Sequence, residues 1–266
     1  MLLAIDVGNT NVVIGIFEGE QVKASWRVQT ERRRMPDEWA LLVLGFLGHS
    51  DLKASDIAAT IISSVVPSLT AALREMGERY FGPKVLVVEP GIKTGISIRY
   101  DNPREVGADR IVNAVAAYHY YGGPAIIIDF GTATTIDALS ASGEYLGGAI
   151  APGINIAAEA LFQVASRLFR VELVPPKQAI GRNTASSMQS GIMFGYIGLV
   201  EGLVARFDEE LRQYQPTGKK IKVIATGGLA EIVAQEGGTG LIDVVDQNLT
   251  LQGLRLIYEM NNVAPE

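Results

Sequence analysis

The chain has 266 residues and a formal net charge of −6, from 23 basic and 29 acidic side chains. At about 150 residues per domain the length points to two domains, and a hydrophobic content of 48% excludes a disordered chain. The acidic balance argues against a general nucleic-acid-binding surface, and the absence of cysteine excludes disulfide scaffolds, zinc–thiolate sites and cysteine nucleophiles.

From the N-terminus, the apolar run Met1–Ile5 meets Asp6 at once, too short for a signal-peptide core and without a basic lead. A strand ending in Asp6-Val7-Gly8 passes the bend Asn9-Thr10-Asn11 and resumes as a second strand; Gly19-Glu20 then turns it into a third. Arg32-Arg33-Arg34 reads as a solvated loop, and 36–47 as a helix. The run Thr60–Pro67 predicts a buried strand, with Ser68 capping a helix to Tyr80. After the turn Tyr100-Asp101-Asn102-Pro103, a helix spans 107–121.

Residues 125–140 repeat the opening of the chain. Superposing Asp6 on Asp129 aligns Ile5 with Ile128 and Gly8 with Gly131, and Gly143-Glu144 repeats the second turn. A helix is expected over 154–169, a surface connection over 170–182, and a long helix over 185–214 with Thr184 as its cap. That helix carries Gly191, Gly195, Gly198 and Gly202 on one face, where another backbone packs closely, inside the lobe or across a dimer. A strand over 221–228 and a helix from Leu229 to Gln235 follow. Strands alternating with helices indicate an α/β fold, and the repeat, offset by about half the chain, indicates two related lobes. No stretch approaches the ~18 uninterrupted apolar residues of a membrane span, so a cytoplasmic protein is expected.

The two Asp-x-Gly turns suggest chemistry. Gly8 lets backbone approach a ligand, Asn9, Thr10 and Asn11 offer donors, and turn N–H groups can form an anion-binding concavity. Asp6 would repel phosphate unless a cation such as Mg²⁺ lay between them. Asp129 and Thr132 repeat this pattern in the second lobe, so that two turns across a cleft could clamp a triphosphate; ordinary hairpins with Asx turns are the alternative. No P-loop and no G-x-G-x-x-G fingerprint is present. Asp109, in the first turn of a helix, could accept a proton from a hydroxyl, and Arg110 could pair with a carboxylate. A first-turn helix acid beside a surface arginine is the plainer reading. His49 and His119 lack metal-ligand spacing.

In order along the chain, DVGNTN (6–11), GADR (107–110), DFGTATTID (129–137), GGAIAPGI (147–154) and IGRNT (180–184) resemble the motifs of type III pantothenate kinases. That family belongs to the acetate and sugar kinase/Hsp70/actin superfamily. The resemblance implies two duplicated actin-like (ribonuclease H-like) lobes with mixed sheets flanked by helices, expected over 1–115 and 116–266. It implies ATP-dependent phosphorylation of pantothenate to 4′-phosphopantothenate, the first step of coenzyme A synthesis. By the same resemblance Asp6, Val7, Gly8, Asn9, Thr10, Asn11, Val12, Val13 and Thr132 bind ATP, with Asp6 near Mg²⁺. Asp109 is the general base, and Tyr100, Gly107, Ala108, Asp109, Arg110 and Thr184 contact pantothenate. Asp129 is the ligand of a monovalent cation, K⁺ or NH₄⁺, and the protein is a homodimer without nucleic-acid or membrane partners. A phosphohydrolase on the same frame and a non-catalytic nucleotide-binding accessory protein are the alternatives.

Overall fold

A computed structural model describes residues 1–164, 168–214, 218–236 and 240–262. Each copy of the repeat becomes the central strand of its own sheet. In the first, β1 (Leu2–Val7), β2 (Asn11–Glu18) and β3 (Gln21–Gln29) form an antiparallel meander. β1 is apolar at five of its six positions and buried along nearly its whole length, whereas β3 alternates exposed and half-buried residues, as an edge strand does. The turn between β2 and β3 uses Gly19 at φ +58°, a left-handed conformation open to glycine. After α1 (Pro36–His49), β4 (Ala59–Ser64) returns parallel to β1, followed by α2 (Pro67–Tyr80), β5 (Val85–Val87), the short β6 (Ser97–Ile98) and α3 (Ala108–Tyr121). The sheet order is β3-β2-β1-β4-β5.

The second copy supplies β7 (Ala125–Phe130), β8 (Ala133–Leu139), β9 (Glu144–Pro152), α4 (Ile154–Val164) and α5 (Thr184–Tyr214). β10 (Lys222–Gly227), α6 (Ala230–Glu236) and β11 (Val244–Val245) follow, and α7 (Leu249–Asn262) is the last helix. Strands β9-β8-β7-β10-β11 lie in the order of their counterparts in the first sheet. The correspondence extends to register: Asp6 lies opposite Ser63 of β4, and Asp129 opposite Thr226 of β10. Gly143 at φ +80° repeats the role of Gly19. Two mixed sheets of one topology, flanked by helices, are the duplicated actin-like fold.

The chain forms two compact units, Met1–His119 with Asn248–Glu266, and Tyr120–Gln247. This division differs from the expected 116–266, because α7 packs on β1 and β4 of the first unit. Two glycines admit it: a Cβ on Gly15 would stand 2.8 Å from Leu251 Cδ1, and one on Gly253 only 2.1 Å from the Val112 carbonyl oxygen of α3. The Thr250 hydroxyl donates to Asn113 Oδ1 (2.7 Å), locking α7 to α3. On the opposite face, Leu3, Ile5 and Val7 are buried with Trp39 and Val43 of α1 and Leu69 and Leu73 of α2, each worth roughly 1.5–3 kcal/mol on full burial. In the second unit Ile126 and Ile128 pack with Met193, Val200 and Val204 of α5.

Three local expectations change. Ser68 does not cap α2: Pro67 occupies the first turn after Val66, which makes no side-chain capping bond. Thr184 is the first helical residue of α5, and the cap is Asn183, whose Oδ1 accepts from Ser186 N–H (2.9 Å). The helix expected to reach Phe169 is described only to Val164; residues 165–167 lie outside the described residues. Although no uninterrupted apolar run was found, α5 is long and apolar enough to cross a membrane by length and composition. Its inner face nevertheless forms the core of the second unit.

Candidate active site

In the first unit the link between β1 and β2 is a tight turn. Gly8 N–H donates to the Asn11 carbonyl (2.9 Å), and a Cβ on Gly8 would lie 3.0 Å from that same oxygen. The chain leaving β3 grips this turn. Thr30 N–H donates to the Thr10 carbonyl (2.9 Å), and the Thr30 hydroxyl to the Gly8 carbonyl (2.7 Å). Asp6 is half-buried between the buried Ile5 and Val7, with one carboxylate oxygen buried, while Asn9, Thr10 and Asn11 are exposed and Val12 is in the core. A rigid, exposed turn with amide donors next to a carboxylate suits a metal–phosphate group.

Asp109 stands at the same end of this sheet. It is the second residue of α3, and the Arg110 N–H donates to its Oδ1 (2.8 Å). A Cβ on Gly107 would fall 2.5 Å from Asp109 Oδ1 and 3.8 Å from Val65 Cγ1, so glycine alone gives this carboxylate its place. Val65 N–H in turn donates to the Val7 carbonyl (3.0 Å), which ties the Asp109 position to the end of β1. Burial pushes the Asp109 carboxyl above the ordinary carboxylate range, opposed by the Arg110 N–H and guanidinium. The helix start therefore does not by itself decide this group's charge; the loss of water has the larger effect. Arg110 is only 6% exposed, so it is not the surface side chain of the plainer reading. Gly107 and Ala108 line a cavity of about 890 Å³ with Ser64, Val65 and Ile111, and Tyr100 is half-buried.

The second unit repeats the turn with one residue fewer: Gly131 N–H donates to the Ala133 carbonyl (3.1 Å). Thr132 is exposed at its tip, and the next strand end presses on it, since a Cβ on Gly153 would lie 2.3 Å from the Thr132 carbonyl oxygen. Asp129 lies beside Gly227, where φ is +91° and a Cβ would come 2.8 Å from Asp129 Oδ1 and 2.7 Å from the Phe130 carbonyl oxygen. Only glycine fits where β10 passes this close to Asp129 and Phe130. Thr184 is exposed at the start of α5 and lines a cavity of about 850 Å³ with Asn183, Gly191 and Gly195.

Asp6 through Val13, Tyr100 and Gly107–Arg110 thus belong to the first unit, and Asp129, Thr132 and Thr184 to the second. Arg32, which the sequence places in a solvated loop, reaches the first turn. Its Nη2 donates to Asn9 Oδ1 (3.1 Å), a neighbourhood foreshadowed by the β2–β3 pairing of Asn11 with Gln29.

The family profile of type III pantothenate kinases matches residues 2–206. The type III pantothenate kinase of Moorella thermoacetica is 54% identical over 261 residues, covering 98% of this chain and all of the relative. A Campylobacter jejuni structure described as a Baf family transcriptional activator is similar with a TM-score of 0.61 at 21% identity, over 97% of this chain and 98% of the other. A Sinorhizobium meliloti structure described as a 2-dehydro-3-deoxygalactonokinase reaches a TM-score of 0.52 at 13% identity, over 100% and 98%. At these identities the two structures speak to the fold alone. The profile over residues 2–206 and the relative matched along its full length place the chain in the type III pantothenate kinase family.

Proposed function

We propose that this protein transfers the γ-phosphoryl group of ATP to the primary hydroxyl of pantothenate, giving 4′-phosphopantothenate and ADP. The observation that carries this reading is the placement of Asp109, held by Gly107 and Val65 at the strand end from which the Asp6–Asn11 turn projects, in a chain of this family. Asp109 accepts the hydroxyl proton as the oxygen attacks phosphorus, and ADP leaves with the electron pair of the broken P–O bond. A carboxyl group raised by burial is better matched to this proton transfer than an ordinary one. Tyr100, Gly107, Ala108, Arg110 and Thr184 hold pantothenate, with Arg110 taking its carboxylate. The turn from Asp6 to Val13 holds the phosphates of ATP, joined by Thr132.

Mg²⁺ takes one or two protein carboxylates and fills its remaining positions with water and phosphate oxygens. Asp6 alone suits it, and among the described residues no group of three or more His, Cys, Asp or Glu forms a metal cluster. Held by Asp6, such an ion would supply charge neutralisation for the phosphoryl group. Asp129, which the lack of a Cβ at Gly227 leaves room for, holds a monovalent cation, K⁺ or NH₄⁺. The reading extends to a cytoplasmic homodimer. A Cβ on Gly191, Gly195 or Gly198 meets no atom within 4 Å, so among the described residues no backbone of this chain packs on the stripe.

The test is ADP release from Mg·ATP with a panel of hydroxyl acceptors, in K⁺ and again in Na⁺. Turnover should require pantothenate and should fall in Na⁺. Phosphate release without an acceptor would identify a phosphohydrolase, and no turnover with any acceptor would leave the accessory-protein reading; either result overturns the proposal.

A further inference from the structure

The arginine run at 32–34 is not one solvated patch. Arg34 lies over the Trp39 ring, 4.7 Å from its centroid, and Arg33 uses its main-chain N–H on Glu31 Oε1 (3.1 Å). Arg32 differs from both, because its only hydrogen bond among the described residues is the one to Asn9 Oδ1, and it has no carboxylate partner there. An exposed guanidinium without a counter-ion is thus anchored at the tip of the turn next to Asp6.

That bond also decides the orientation of Asn9. A guanidinium can only donate, so the atom facing it is the amide oxygen, and Nδ2 with its two N–H groups faces away. Among the described residues Nδ2 donates to no protein acceptor. The Thr30 bonds to the Gly8 and Thr10 carbonyls hold the segment carrying Arg32 against the turn. The turn therefore presents an oriented amide donor and a cation with unused N–H groups, a combination suited to phosphate oxygens. In a chain of net charge −6 such local charge has to be placed deliberately.

We propose that Arg32 is a further nucleotide-binding residue of this site, contacting the ATP phosphates directly and holding Asn9 as their second donor. The inference rests on the reading of the turn as an ATP site. It specifies that a charged residue outside the Asp-x-Gly motif completes the site.

The test is calorimetric binding of Mg²⁺ with adenylyl imidodiphosphate, a non-hydrolysable ATP analogue, to the full chain, with no acceptor present. Arg32→Gln should weaken binding about 10-fold or more, the usual effect of losing a charged hydrogen bond, and should flatten the salt dependence of affinity. Arg32→Lys should recover only part of the loss, since an ammonium keeps the charge without the fork. Asn9→Ala should also weaken binding, and the double variant should lose less than the sum of the single losses. In turnover assays the KM for ATP should rise while that for pantothenate stays within about 2-fold. Arg32→Gln with wild-type affinity and salt dependence would overturn the proposal, as would strictly additive losses with Asn9→Ala. Because the binding assay omits the acceptor, tight analogue binding without pantothenate turnover would refute the kinase reading and leave Arg32 standing.

Discussion

Replacing Gly227 by alanine tests the close packing of β10 against Asp129. The residue sits at φ +91°, where an L-side chain costs about 1–2 kcal/mol. The new Cβ would also lie 2.7 Å from the Phe130 carbonyl oxygen and 2.8 Å from both Asp129 Oδ1 and the Phe130 carbonyl carbon. Two of these three atoms are backbone of β7, so relief requires the strand to move, comparable to overpacking a core at about 1–3 kcal/mol. Together the penalties come to about 2–5 kcal/mol. At about 2–4 °C per kcal/mol for a chain of this size, Tm should fall by roughly 4–20 °C. The displaced Asp129 should also weaken activation by K⁺. Thermal unfolding followed by circular dichroism, with a K⁺ titration of turnover, reads both effects. Gly45→Ala in α1, where a Cβ meets nothing within 4 Å, serves as the control that should not lower Tm. Gly227→Ala with unchanged Tm and unchanged K⁺ response would refute the geometric argument.

Asp109→Asn should reduce kcat by at least ~10² while leaving binding of the ATP analogue largely intact; wild-type turnover would remove Asp109 from the base role. The same group predicts a pH signature. Its folded-state pKa lies above the unfolded value, so its stabilising contribution is full below the unfolded value of about 3.9 and is lost as pH rises through the folded value. Asp109→Asn should therefore be more stable than wild type at neutral pH, with the gap closing in acid. Turnover of the wild type should fall as pH drops through that raised pKa, and urea titrations across pH check the stability half. Gly195→Ala should favour helix α5 by about 0.8–1.0 kcal/mol, yet should shift the protein toward monomer in sedimentation velocity if a second copy packs on the stripe. A variant that dimerises as wild type would place the contact elsewhere.

Much of the fold was readable because the repeat constrains it. Asp6 with Gly8 and Asp129 with Gly131 each end an apolar run, and both became the ends of central strands. Glycines at 19 and 143 marked hairpins through the positive φ they supply. The placement of α7 was not readable, because its partners Gly15 and Val112 lie more than a hundred residues away and an amphipathic helix carries no address. For the site, residue types at strand ends and helix starts were informative about Asp6 and Asp109. The raised pKa of Asp109 depends on burial by distant residues, which local sequence does not record. Gly153 and Gly227 matter through the oxygens they lie against, and Arg32 through a hairpin register that returns it to the turn.

The docking of α7 on β1 and β4 makes the second unit an insertion within the first. In a chain made from its N-terminus, β1 is synthesised before the inserted unit, and the helix that covers one of its faces only after it. The inserted unit, continuous from Tyr120 to Gln247, can close its own core before Leu251 exists to cover Gly15. The first sheet therefore waits with an apolar face uncovered, the circumstance in which nascent proteins associate wrongly. Completing it requires contacts between segments on either side of the inserted unit, which slows this step of folding. A chain that stops short of α7 would carry both Asp6 and Asp109 and still lack the helix that packs against α3 at Val112 and Asn113.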